Sequence, residues 1–327
     1  MKVLYGIQGT GNGHISRAMD IIPCLAKKVD LDILVSGSQS DIELQYPIKY
    51  RKDGLSFIFG KKGGIDLAAT LARLNPIQFF RDVKDLPVHE YSLVISDFEP
   101  ISAWSAKLGK VPSVSLSHQA AVLNKHAPKP EKKNLFGEFI LKNYAPARNK
   151  AGFHFKSYGE GIYTPIIRQQ IRRQEVKNKN HITVYLPSYD DERIFEVLRE
   201  FPDENWHVFS KYCHQEHSEE TVHFNPLNSD LFTQSMAQGK AVICGAGFET
   251  PSEALFLGKK LLVVPMRNQY EQQCNARCLE EMGVPVIKSF SRKALPEISK
   301  WLETEQTLRI EDHERTESMV NAILSQC

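Results

Sequence analysis

The sequence predicts an α/β protein of two doubly wound domains facing each other across a cleft. Three observations predict it. Short apolar runs alternate with helical stretches over nearly all 327 residues. Those runs are continuously apolar, as in strands buried on both faces of a parallel sheet. The chain is also too long for most single cores and suits two α/β domains of ordinary size. KVLYGI, LDILVSG, LVISD and PSVSLS are the strands of the first half, and HITVYLP, WHVFS, AVICG and KLLVVP those of the second. Helices over residues 16–29, 101–108, 192–200 and 252–257 complete the βαβ units. The first domain is placed at 1–164 and the second at 165–304, with the boundary after HFKSYGEGIYTP. Residues 305–327 read as a C-terminal helix packing back on the first domain.

Hydrophobic content of 42% and charged content of 24% are ordinary globular values. A net charge of +2 excludes a globally basic nucleic-acid binder. No apolar run has transmembrane length, and the start MKVLYGIQGTGNGH enters a strand without the regions of a signal peptide. The six cysteines are scattered and several fall in apolar elements, which suits free thiols in a reducing compartment. A cytoplasmic protein is expected. Cys213, His214 and His217 lack a second ligand pair at suitable spacing, so no metal is expected there.

Residues 242–276, VICGAGFETPSEALFLGKKLLVVPMRNQYEQQCNA, read as strand, Gly-rich turn, helix, strand, loop and helix. Backbone amides at such a turn take a phosphate. Glu253 follows one to two helical turns on, within reach of sugar hydroxyls, and Gln272, Gln273 and Asn275 offer neutral hydrogen bonds from the facing loop. Together these features describe a nucleotide-sugar pocket.

The loop Gly9-Thr10-Gly11-Asn12-Gly13-His14 follows the first strand and opens a helix. It departs from the dinucleotide fingerprint: its third glycine comes one residue early, and the second strand ends without an acid. A Walker-type loop fails too, because no Gly-Lys-Ser/Thr follows. His14 sits at a helix N-terminus, where the dipole favours a neutral ring, and is a candidate general base for an acceptor hydroxyl. Asp97 ends the strand LVISD, from which a carboxylate can fix the tautomer of His14. His118 and Gln119 end a third strand and, with Gly11, Asn12 and Gly13, are placed on the acceptor side.

With these residues in view, the chain resembles glycosyltransferases of the GT-B fold, with two Rossmann-like domains. The nearest likeness is to the peptidoglycan lipid-intermediate N-acetylglucosaminyltransferase and the UDP-glycosyltransferases. Residues 9–14 are similar to their G-T-G-G-H start. VISDFEPISAWSAKLGKVPSV resembles the segment carrying the aspartate partner of the base, and residues 245–276 resemble the G-x-x-T-x-x-E-A donor motif with its Q-x-x-N-A end. The resemblance implies His14 as base and Asp97 as its partner. It implies Gly245, Ala246 and Gly247 near the diphosphate, with Glu249 and Thr250 in the same donor wall. Glu253 then meets the ribose, and Gln272 or Gln273 the transferred sugar. Ser188 occupies the place of a phosphate-approaching Gly-Ser, although Pro187 stands where the glycine is usual, and Lys259 replaces the usual proline of G-x-P.

The implied reaction is inverting transfer of a hexose-type sugar from a nucleotide donor, a UDP-sugar in the first instance, to a hydroxyl. No cofactor is implied, and with no Asp-x-Asp present to ligate a divalent cation through a diphosphate, no metal either. A nucleotide-sugar hydrolase or 2-epimerase, or a non-catalytic nucleotide-sugar-binding protein, stands as the alternative. Residues 124–156 carry eight Lys/Arg against two Glu, interleaved with Leu135, Phe136, Phe139, Ile140 and Leu141. That pattern suits either a solvated helix with an apolar core face or a segment resting on an anionic membrane near a lipid-linked acceptor. Residues 67–80 carry the same ambiguity.

Overall fold

The computed structural model describes residues 1–10, 12–37, 44–54, 75–132, 134–305, 308–310 and 316–325. Two sheets organise them. The first contains β1 (Lys2–Gln8), β2 (Asp30–Ser36), β3 (Tyr50–Lys52), β4 (Leu93–Asp97), β5 (Ser113–Leu116), β6 (Asn149–Phe153) and β7 (Ile162–Tyr163), in the order β3-β2-β1-β4-β5-β6-β7. All its pairings are parallel. The second contains β8 (Lys179–Tyr185), β9 (Trp206–Ser210), β10 (His217–Glu219), β11 (Val222–Pro226), β12 (Gly239–Gly245) and β13 (Lys260–Val264), ordered β10-β11-β9-β8-β12-β13. Only the β10–β11 edge pair is antiparallel. The architecture is α/β with two Rossmann-like domains.

Helices cover both faces. In the first half they are α1 (Asn12–Ala26), α2 (Pro76–Asp85), α3 (Pro100–Gly109), α4 (His118–Val122) and α5 (Leu135–Asn143). The short α6 (Gln169–Arg172) lies between the sheets. The second half holds α7 (Asp191–Leu198), α8 (Ser229–Gln238), α9 (Glu249–Phe256), α10 (Tyr270–Glu281) and α11 (Leu295–Glu303), and α12 (Thr316–Leu324) follows. Local chemistry sets many of the starts. Asn75, Asn134, Asp190 and Asn228 each accept a first-turn amide of the helix they precede, and Pro76 and Pro100 occupy first helical positions where no amide is needed.

The expected C-terminal helix is shorter than residues 305–327. Among the described residues it spans only Thr316–Leu324, while Leu308–Ile310 run without helix. It lies against α1 through Met319, Val320 and Ile323, with Lys28 Nζ 2.9 Å from Glu317. No helix among the described residues is long and apolar enough to cross a membrane.

The site follows from strand order. In the first sheet the chain runs outward from β1 to β3, then resumes at β4 on the other side of β1, so the order reverses between β1 and β4. The second sheet reverses between β8 and β12. Crevices open at the carboxyl ends of strands where the order reverses. At those ends lie the loop before His14, Asp97, the 186–188 turn and Gly245–Gly247. One apolar cluster is continuous between the halves, from Ile7 and Phe153 to Phe248 and Val263.

A further feature of the second sheet concerns stability. His181 and His207 stack with ring centroids 4.0 Å apart, and His223 meets His207 edge-on. Burial, then its histidine neighbours, pushes His207 down to about 4, and burial also lowers His181. His154, with no exposed surface, is pushed by burial to about 2. These rings are neutral when folded, while the unfolded chain takes protons near 6.5. Stability is therefore present above that pH and lost as pH falls from 6.5 toward 4. The urea midpoint should be lower at about pH 5 than at about pH 7.5, and His207→Gln should narrow the difference. A midpoint that rises on acidification would contradict this.

Candidate active site

Asp97 is the fixed point of the site. It ends β4 in register with Ile7 of β1 and has no exposed surface. Arg17, on α1, forks onto it. Its Nε donates to Oδ2 at 3.1 Å, and its Nη2 donates to Oδ1 at 2.7 Å and to Oδ2 at 2.9 Å. The guanidinium is 3% exposed and rests over the Phe153 ring. His14 Nδ1 lies 2.8 Å from Asp97 Oδ1. Arg17 Nη2, which only donates, lies 3.1 Å from the same nitrogen, but the shorter contact is with the accepting carboxylate oxygen, and it favours the hydrogen on Nδ1 and the lone pair on Nε2. Burial alone would raise the Asp97 carboxyl, but Arg17 and His14 outweigh it and hold the group below the usual carboxylate range. His14 and Arg17 fall three residues apart, so one helical face presents both.

The turn after Asp97 is built to hold this arrangement. Phe98 adopts φ 54°, a left-handed conformation that costs a non-glycine residue about 1 kcal/mol or more. Its ring stacks on Tyr144 at 4.7 Å and lies parallel to His14 at 6.4 Å. Glu99, fully buried, accepts from Ser36 Oγ at 2.6 Å and from the amides of Ile101 and Ser102, so it caps α3 and ties β2 to β4. Burial raises its carboxyl despite those bonds. The two carboxyls, two residues apart, are thus shifted in opposite directions, and among the described residues only Asp97 has a cation to hold it charged.

The facing wall is the Gly245–Gly247 turn and α9. A Cβ on Gly247 would meet nothing within 4 Å, so its backbone is open to a ligand. Phe248, which precedes α9, supplies no side-chain cap, leaving the first-turn amides of α9 free of one. Glu249 opens α9 and crosses to the first half, where its carboxylate meets Arg17 Nη1. Gln272 Oε1 accepts from Met266 N at 2.9 Å and lies beside Gly245. Thr250 and Gln273 are half-buried on the same wall.

The profile of glycosyl transferase family 1 matches residues 1–302. The chain belongs to glycosyl transferase family 1. It is an enzyme of glycosyl transfer. Solved structures with the same fold include MurG of Acinetobacter baumannii, at TM-score 0.60 and 14% identity over 99% of each chain. UGT89C1 of Arabidopsis thaliana, complexed with UDP, matches at 0.61 and 12%, over 99% of this chain and 98% of that one. The spinosyn rhamnosyltransferase SpnG, complexed with thymidine diphosphate, matches at 0.54 and 12%, over 99% and 92%. These likenesses show the two-domain GT-B fold. No curated protein matches the sequence significantly.

Several residues of the glycosyltransferase stand elsewhere than the sequence suggested. His118 is 1% exposed: Nδ1 lies 2.7 Å from Phe153 O, Nε2 lies 2.6 Å from Asn275 Oδ1, and the ring stacks on Phe248 at 4.0 Å. It is a post between the halves and not an open acceptor wall. Asn275 is the other end of that post. It has no exposed surface, and its Nδ2 donates to Ala246 O at 3.1 Å, so its polar atoms are engaged away from any donor. Gln119 likewise crosses the cleft, donating to Glu271 at 2.9 Å. Ala246 and Ser188 are buried behind their turns. Gly13 faces Glu249. Gly11 and the side chain of Asn12 lie outside the described residues.

Glu253 is the largest departure. It is 2% exposed, and Arg168 donates to it through Nε at 2.5 Å and Nη2 at 2.8 Å. Burial raises its carboxyl, an effect Arg168 offsets in part. Each oxygen predicted to meet a ribose therefore already accepts one bond, and almost none of the residue is exposed. Arg168 comes from a polar stretch between the domains that carries no motif, so nothing in the sequence marks it. Arg17 carried a usable signal, its spacing from His14. The chain's Asp-x-Asp, Asp30-Leu31-Asp32, opens β2 at the strand ends opposite the cleft, with Lys49 Nζ 2.6 Å from Asp32.

Removing one partner of a buried ion pair strands the other charge. Glu253→Ala should cost about 3 kcal/mol of stability, read by urea denaturation. A variant with unchanged stability would show that Arg168 has another partner to turn to.

Proposed function

We propose that this enzyme transfers a hexose-type sugar, with inversion and without a metal, from a UDP-sugar to a hydroxyl acceptor, with His14 as general base. The observation that carries the reading is the 2.8 Å contact of His14 Nδ1 with Asp97, placed where strand order reverses and on the helix whose Arg17 meets Glu249 of the other half. The acceptor hydroxyl hydrogen-bonds His14 Nε2. Its oxygen attacks the anomeric carbon as the proton passes to Nε2, and the bond from that carbon to the diphosphate breaks with its electron pair leaving on the phosphate oxygen. Asp97 stabilises the imidazolium that forms. First-turn amides of α9 and the Gly245–Gly247 backbone take up the charge of the leaving diphosphate. Gln272 or Gln273 meets the transferred sugar.

The UDP assignment draws on the donor motif, and similar structures hold UDP or thymidine diphosphate. A thermal-shift screen with UDP-, GDP- and dTDP-sugars tests it, with the UDP-sugar expected to stabilise most. His14→Ala should lower kcat by about a hundredfold or more while donor affinity is kept. Wild-type turnover in that variant would remove the mechanism.

For the acceptor we propose a lipid-linked hydroxyl met at a membrane surface on the cytoplasmic side. The support is a set of exposed apolar side chains among cations. On α5, Leu135, Phe136 and Phe139 are 73%, 64% and 63% exposed, with Lys132 and Lys142 beside them. On α2, Ile77 and Phe80 are exposed beside Arg81 and Lys84. Trp104 of α3 donates to Tyr144 O at the end of α5 while α3 packs on α2, which brings the two helices into one region. Such a surface suits anionic lipid. The protein should sediment with vesicles containing anionic lipid, and replacing Phe136 and Phe139 by Ser should weaken this about tenfold or more. Equal binding by the double variant would place the contact elsewhere.

A further inference from the structure

Arg17 has two carboxylate partners, one from each half, and they are not equivalent. Asp97 is wholly buried and cannot leave, whereas Glu249 keeps 26% of its side chain exposed against 3% for Arg17. Glu249 is also the first residue of α9, and its carboxylate reaches the first turn of α1. A Cβ on Gly13 would come within 2.8 Å of Glu249 Oε2, so a larger residue there would push that carboxylate aside. One partly exposed carboxylate therefore lies among the first turns of two helices and against a buried guanidinium. That environment suits a mobile anion.

We propose that Glu249 is a stand-in for the donor's diphosphate, and that Arg17 passes from Glu249 to the diphosphate when the donor enters. This rests on the reading of the Gly245–Gly247 turn as the diphosphate seat. A diphosphate on the α9 amides meets a negative carboxylate on the same turn unless that carboxylate moves, and its exposed position gives it room to do so. Arg17 then faces Asp97 on one side and the leaving group on the other. The guanidinium that fixes the base thereby also stabilises the departing charge, so the dyad and the donor are joined through one residue. Without donor, Glu249 keeps the buried cation paired on its second side.

Calorimetric titration of the full chain with UDP and with uridine tests the exchange, because uridine has the nucleoside without the phosphates. Glu249→Gln removes the competing charge and should tighten UDP binding by about tenfold. Arg17→Lys keeps a charge but loses the fork, and should weaken UDP by a similar factor. Uridine should bind the wild type and both variants alike. Unchanged or weaker UDP binding by Glu249→Gln overturns the exchange, as does a uridine affinity that shifts in parallel with UDP. A wild type that binds neither UDP nor uridine would instead remove the donor reading beneath it.

Discussion

A carboxylate without exposed surface, at the end of a central strand, has to be neutralised where it stands, and the cost of failing is several kcal/mol. Asp97 meets this condition with a forked guanidinium and an imidazole. Much of the site is a consequence. Arg17 must lie on the helix that the first glycine loop opens. His14, one turn earlier, is drawn to the same oxygen and loses its freedom of tautomer. The strained turn at Phe98 and the buried cap at Glu99 then lock the strand end from which the carboxylate projects.

The same guanidinium draws the second half in. Glu249 meets it from α9, and further along the cleft the His118–Asn275 and Gln119–Glu271 contacts join α4 to α10. Tyr270 packs on Gly137, where a Cβ would lie only 2.5 Å from the tyrosine, so α5 also touches the second half. Polar bonds thus line much of the contact between domains. They are directional and satisfied by specific partners, which suits halves that must return to one geometry around a substrate.

The fold was legible because its signals are local. Continuous apolar strands, alternating helices and glycine turns at strand ends specify parallel sheets and the strand ends at which crevices open. The contact of His14 with Asp97 was legible for the same reason: each sits at a strand or helix terminus, and strand order brings the termini together. What escaped reading were partnerships across the chain. Glu253 carries the motif of a ribose ligand, but its charge is held by Arg168, 85 residues away. His118 looks like a cleft histidine from its position after β5 and is instead buried by stacking on Phe248. The C-terminal stretch read as one helix, whereas its described helix is confined to Thr316–Leu324.

The tautomer of His14 tests the central arrangement directly. In a nitrogen-15 spectrum of histidine-labelled protein at mildly alkaline pH, with the His14 signals assigned by their loss in His14→Ala, Nδ1 should bear the hydrogen and Nε2 should be bare. Asp97→Asn should abolish that preference. A His14 ring with its hydrogen on Nε2 in the wild type would contradict the account, because no lone pair would then face the cleft to take a proton.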